Sequence, residues 1–255
     1  MSTILTQIEF DRYAAAWAQF IDRAASDEVE RLFQAKGKLR QNYVSFDLTD
    51  SIVNLLSTVG IRKVVARFVL LPADVADDKP RFRVVLYAAD GLGGRISAYY
   101  LGAAVWVAAP KADEQFAEPL PGEGAGQVAF SVAKFWLQAW ATPKPTDPQP
   151  EVRLSPLMFM TSYGPLQGYT FELSDFMGPL FIPAPKAGTT EVLALRLYFG
   201  LKSYYPAYPE KPEHPHQTFG LVVRLFKSDI KYTDGTGGSD TGGPSYDLAT
   251  PVPPG

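Results

Sequence analysis

Cysteine is missing from all 255 residues. Its absence excludes disulfides, thiolate metal sites and a cysteine nucleophile, and leaves the compartment open. Histidine is nearly missing. The only two are His214 and His216, in one proline-containing stretch. A Ser-His-Asp arrangement would have to take its base from that stretch, and no G-x-S-x-G turn accompanies it. A surplus of one charge is missing too: 24 Lys and Arg stand against 27 Asp and Glu, a net charge of −3. With no basic cluster interleaved with aromatics, neither nucleic acid nor an anionic membrane is an expected partner. The longest apolar run, Ile96 to Ala109, contains Ser97 and Gly102 and falls well short of the ~20 residues that cross a bilayer as a helix. Met1-Ser-Thr-Ile-Leu lacks the basic start and apolar core of a signal peptide. Together these absences predict a cytoplasmic, non-enzymatic protein without a cofactor.

What is present is an ordinary globular balance, 46% hydrophobic and 20% charged, and an internal echo. Tyr13-Ala-Ala-Ala-Trp17-Ala18 recurs as Trp136-Leu-Gln-Ala-Trp140-Ala141, and Ser45-Phe-Asp-Leu-Thr-Asp50 as Thr170-Phe-Glu-Leu-Ser-Asp175. Arg67-Phe-Val-Leu70 answers to Arg196-Leu-Tyr-Phe199, and Phe82-Arg-Val-Val-Leu86 to Phe219-Gly-Leu-Val-Val223. The matches keep their order and drift apart along the chain, as insertions in loops would make them. The expected fold is therefore α+β: two related lobes in a pseudo-twofold duplication, each with helices packed on a small antiparallel sheet. The first lobe covers residues 1–110, a Pro/Gly linker 111–126, the second lobe 127–227, and a Gly/Asp/Pro-rich tail 228–255.

Within the first lobe, Phe10, Tyr13, Trp17, Phe20 and Ala24 step by three and four, which predicts helix over residues 3–36, restarted at Ser26 as an N-cap. Thr49 or Asp50 is expected to cap a short helix that carries Ile52, Val53, Leu55 and Leu56 and ends near Gly60, and Ser174 its second copy. The recurring Asp47/Asp50 and Glu172/Asp175 pairs read as caps rather than as an acid/base couple. Val64–Leu71 and Arg81–Ala88 read as an antiparallel pair, Asp90-Gly-Leu-Gly-Gly94 as a turn, and Ile96–Ala108 as a third strand. In the second lobe a helix over 128–141 is expected to turn Val132, Phe135, Trp136, Ala139 and Trp140 inward. Leu157–Tyr163, Glu191–Leu201 and Thr218–Phe226 read as strands.

Two sets of residues carry candidate chemistry. Glu213, His214 and His216 offer a carboxylate and two imidazoles, ligands that suit a divalent ion of the zinc class, although one stiff loop would supply them all. Tyr204, Tyr205, Tyr208 and Tyr246 lie among prolines and form rigid amphipathic surfaces suited to protein contact. The Gly/Asp run 234–243 lacks EF-hand spacing and reads as a linker.

Trp17 with Ser45-Phe46-Asp47-Leu48 and Gly60-Ile61-Arg62, and in the second half Tyr169–Asp175, Ala194–Leu201 and Phe219–Leu225, resemble an uncharacterised family of small proteins common in Bacteroidota. The resemblance implies a cytoplasmic, non-enzymatic α+β protein, here as a fused pair. The function expected is protein interaction or self-assembly, with a protein partner or a homo-oligomer. The alternative is a small-ligand or divalent-metal binding protein with its site between the lobes or at the His214/His216 loop.

Overall fold

The computed structural model describes residues 3–35, 39–73, 79–108, 127–128, 130–141, 154–177, 191–204, 216–229, 245–246 and 250–251. The chain begins with strand β1 (Thr3–Leu5) and helix α1 (Gln7–Arg23). A reciprocal cap fixes the start of α1: Glu9 N–H donates to Thr6 Oγ1 at 3.3 Å, and Thr6 N–H donates to Glu9 Oε2 at 2.9 Å, which satisfies two donors the helix cannot. Helix α2 (Ser26–Leu32), β2 (Gln34–Ala35) and β3 (Leu39–Asp47) follow. A π-helical turn over Leu48–Ile52 leads into α3 (Val53–Leu56). Alternating apolar residues then build the hairpin of β4 (Lys63–Leu71) and β5 (Arg81–Ala89). Next come β6 (Tyr99–Leu101), β7 (Ala103–Ala108), β8 (Gln127–Val128) and α4 (Phe130–Ala141). A 3-10 turn over Pro156–Phe159 precedes β9 (Met160–Thr161), β10 (Gly164–Pro165), β11 (Gly168–Glu172) and α5 (Leu173–Met177). The long hairpin of β12 (Glu191–Tyr204) and β13 (His216–Asp229) precedes the short β14 (Ser245–Tyr246) and β15 (Thr250–Pro251).

The fold is α+β with antiparallel sheets. The first runs β1-β6-β5-β4-β11-β15. The second runs β8-β14-β13-β12-β3, with β7 on the far flank of β3 and β2 against its start. Strand β3 lies in the sheet of the late hairpin and β11 in the sheet of the early one, so segments 1–110 and 127–227 are interleaved. The registers correspond. Tyr169, Thr170 and Phe171 face Ala66, Val65 and Val64, while Val44, Ser45 and Phe46 face Leu197, Arg196 and Leu195. Tyr100 bridges Ile4 and Leu86 in one sheet, and Tyr246 bridges Gln127 and Val223 in the other.

The inner faces of both sheets enclose one main core. Phe68, Phe82, Phe199 and Phe219 meet there, and strand alternation sends Val69, Val85, Tyr198 and Val222 to the outer faces. Each long helix serves two clusters. Phe10 of α1 packs on the outer face of the first sheet while Trp17 enters the core, and Ala133 and Leu137 of α4 pack on the outer face of the second while Trp140 enters the core. Trp17 Nε1–H donates to Leu166 O at 2.8 Å, and Trp140 Nε1–H donates to Gln41 O at 3.0 Å. Between the indoles, Phe33 and Phe159 stack at 5.6 Å with planes 6° apart. Each also anchors a backbone bond, Gln41 N–H to Phe33 O at 2.9 Å and Leu166 N–H to Phe159 O at 2.7 Å. Tyr169 OH reaches from the first sheet to the Phe219 carbonyl of the second.

Several expectations change. Thr3–Leu5 is a strand paired with β6, not the start of a helix. Ser26 lies inside α2, whose cap is Ala25, its N–H satisfied by Glu28 Oε2 at 2.8 Å. Ile96–Ala108 is not one strand: after Leu101 the chain leaves the first sheet and enters the second as β7. A Cβ on Gly102 would stand 2.7 Å from Phe46 Cζ, so this crossing needs a residue without one. Leu157–Tyr163 is not one strand: Leu157–Phe159 complete the 3-10 turn, because Pro156 suits a helical start, and only Met160–Thr161 are strand, as β9. Val132 (41% exposed) and Phe135 (57%) point away from the core, while Trp136, Ala139 and Trp140 pack as expected, with Ala133 and Leu137 beside them. Ser174 sits within the first turn of α5 rather than before it. The π-helical turn replaces the expected cap at Thr49 or Asp50, whose side chains lie outside the described residues, as does that of Asp175. The region given as a tail contains β14 and β15, one strand for each sheet.

Candidate functional site

Crossing from β6 to β7 opens a pocket of about 420 Å³ at the junction of the two sheets. Its floor is apolar, with Phe46 of β3, Leu71 of β4 and Leu101 of β6, and the small Ala103 and Ala104 of β7 keep it open. Its polar side chains come from four places, one of them Thr3 of β1. Arg81 and Arg83 stand two apart on β5, so they project from the same face. Ser45 and Asp47 come from β3, and Ser51, itself buried, comes from the π-helical turn. The lining therefore carries two guanidiniums against one carboxylate.

Arg83 is the unusual member. Burial, and secondarily the like charge of Arg81, push its guanidinium down to about 10. Its Nη1–H donates to the Phe82 carbonyl at 2.8 Å, and among the described residues it forms no ion pair with a carboxylate. The cationic Arg40, by contrast, is closed off inside the protein by Glu30. Arg67 on the outer face of the first sheet is held below its usual range by burial, and it donates to the Gln167 side chain. A guanidinium with no carboxylate partner among the described residues, in a concave and partly apolar site, is suited to binding an anion.

The residues singled out in the sequence fall elsewhere. Glu213, His214, Tyr205 and Tyr208 lie outside the described residues. His216 opens β13, exposed, opposite Tyr204 in the ladder, with ring centroids 5.8 Å apart. Tyr204 is half exposed. Tyr246 pairs by its backbone with Val223 and Gln127, and its side chain lies outside the described residues. Among the described residues no group of three or more His, Cys, Asp or Glu is placed to hold a metal ion, and no helix is long and apolar enough to cross a membrane. Sequence reasoning missed Arg81 and Arg83. Their one signal was a two-residue spacing on a strand, which an ordinary solvent-facing edge also shows.

Compared with protein-family models, curated proteins and solved structures, the chain has no significant match in any of the three.

Proposed function

We propose that the chain is a non-enzymatic binding protein made of two copies of one α+β unit that have exchanged a strand, with a small-ligand site at the sheet junction. The paired architecture rests on the shared strand order of the two sheets, the matching registers, and the reciprocal bonds of Trp17 to Leu166 and Trp140 to Gln41. On this reading β14 and β15 are the second copy's β6 and β7. Cleavage at a protease site placed within 109–126 should then leave one particle of 28.0 kDa by light scattering, separable only in denaturant. Two freely separating fragments would count against the exchange.

The ligand reading is carried by the pocket at the crossing, concave and partly apolar, with a few convergent polar groups. Filling it tests the assignment. Ala104→Phe should abolish thermal stabilisation by any fragment that stabilises the parent protein, while changing the unliganded midpoint by only a few degrees, since Ala104 is partly exposed. Fragment responses unchanged by the substitution would place the ligand elsewhere.

A second reading, protein contact or self-assembly, is favoured by the outward side of α4, where Val132 and Phe135 are exposed one turn apart. Replacing both with serine should then shift solution mass without shifting fragment binding.

A further inference from the structure

We infer that the junction pocket takes a small monocarboxylate with a short apolar body, its carboxylate received by Arg83 and its body laid against Phe46, Leu71 and Leu101. The inference deepens the ligand reading above and rests on it.

Three observations carry it. Arg83 has a fork of donors, of which Nη1 is committed to a neighbouring carbonyl, and no carboxylate partner among the described residues. A planar guanidinium receives a carboxylate through two parallel bonds. The charged groups set the ligand's charge: Arg83 has no carboxylate partner among the described residues, and Asp47 in the same lining would repel a dianion such as phosphate. The apolar residues set the rest, since a ligand without an apolar body would leave that floor wet. The hydroxyls of Ser45 and Ser51 are further polar atoms of the lining.

The two halves differ here, which fixes the stoichiometry. Leu71 faces Arg81 in the early hairpin, and in the matching register Lys202 faces Thr218 in the late one. The place of Arg83 then falls to Gly220. A Cβ there would come 2.6 Å from Lys202 Cε, and the Lys202 ammonium lies 4.9 Å from the Trp136 ring centroid. A lysine laid over a glycine fills the space that the arginines leave open, so one ligand is expected per chain.

The test is calorimetric titration of the full-length protein with hexanoate, hexanamide and inorganic phosphate. Hexanoate should bind at one site per chain, and hexanamide and phosphate at least tenfold more weakly. Arg83→Gln should weaken hexanoate at least tenfold, and Arg83→Lys should fall between, keeping the charge but losing the fork. A second measurement needs no variant: saturating hexanoate, but not hexanamide, should slow modification of Arg83 by phenylglyoxal, read by peptide mass. Equal binding of hexanamide, preference for phosphate, unchanged affinity in a folded Arg83→Gln, or no protection of Arg83 each overturns the carboxylate assignment. Neutral fragments that bind the parent protein and are lost in Ala104→Phe would, in that case, preserve the ligand pocket itself. If no fragment binds, both readings fall.

Discussion

Gly168→Ala should lower the thermal midpoint by about 10 °C, from a loss of about 3 kcal/mol at about 2–4 °C per kcal/mol for a chain of this size. Gly168 opens β11 with φ +149°, a region that residues with a Cβ rarely adopt. A Cβ there would overlap the Ala66 carbonyl oxygen and stand 2.9 Å from Arg67 Cα. Both obstacles are backbone of β4, which is paired on its other side by β5 along its whole length and so cannot retreat. Relief has to come from β11 moving away, which gives up its ladder with β4 and the pairing of β15 beyond it. Hydrogen exchange should show protection lost at Val64–Arg67 and Tyr169–Phe171 together. A midpoint within 2 °C of the parent would show that β11 is not held as closely to β4 as described.

Trp17→Ala and Trp140→Ala should each cost about 4 kcal/mol, by cavity formation and loss of the indole bond. Both indoles are fully buried. Trp17 meets Phe82 at 4.8 Å and Phe159 at 5.6 Å, and Trp140 meets Phe219 at 5.2 Å and Phe33 at 5.0 Å. Because the surroundings are so alike, the two losses should agree within about 1 kcal/mol, and denaturant titration of both variants measures that directly. The phenylalanine variants separate the contributions: a ring remains, the Leu166 or Gln41 carbonyl loses its donor, and about 1–2 kcal/mol goes with it. The double alanine variant should not be additive, since both indoles bear on the stacked Phe33 and Phe159. Losses that differ by several kcal/mol would argue against two equivalent copies.

The sequence discloses the local elements much better than their partners. Alternation in Val64–Leu71 and Arg81–Ala88, and the three-and-four spacing of Phe10, Tyr13 and Trp17, predict a hairpin and a helix that the structure contains. Nothing in Tyr43–Leu48 says whether that strand joins the nearest hairpin or the one more than a hundred residues on, because alternation defines a buried face and not a neighbour. The matched segments show the same limit. The sequence echo matches Arg67 with Arg196, yet Val65 holds the place opposite Thr170 that Arg196 holds opposite Ser45. A slip of two residues preserves the alternation of a strand, so sequence pattern cannot detect it. The pocket was hidden for a related reason. It exists only because β6 and β7 separate at Gly102, and a continuous apolar run conceals that break.

The interleaving of early and late strands has a consequence for how the chain acquires its shape. Arg67 meets Gln167 a hundred residues later, and Trp17 meets Leu166 at a separation of 149. On a growing polypeptide, β4 and β5 can form their hairpin early, but the flank of β4 that β11 will cover stays bare until residue 172 has emerged. At about 5–20 residues per second, that interval lasts several seconds. Contacts so distant along the chain also make for slow closure, and an unpaired strand edge invites pairing with another nascent chain. Yield in cells should therefore depend on expression rate and on chaperone supply more steeply than the stability of the finished protein would suggest.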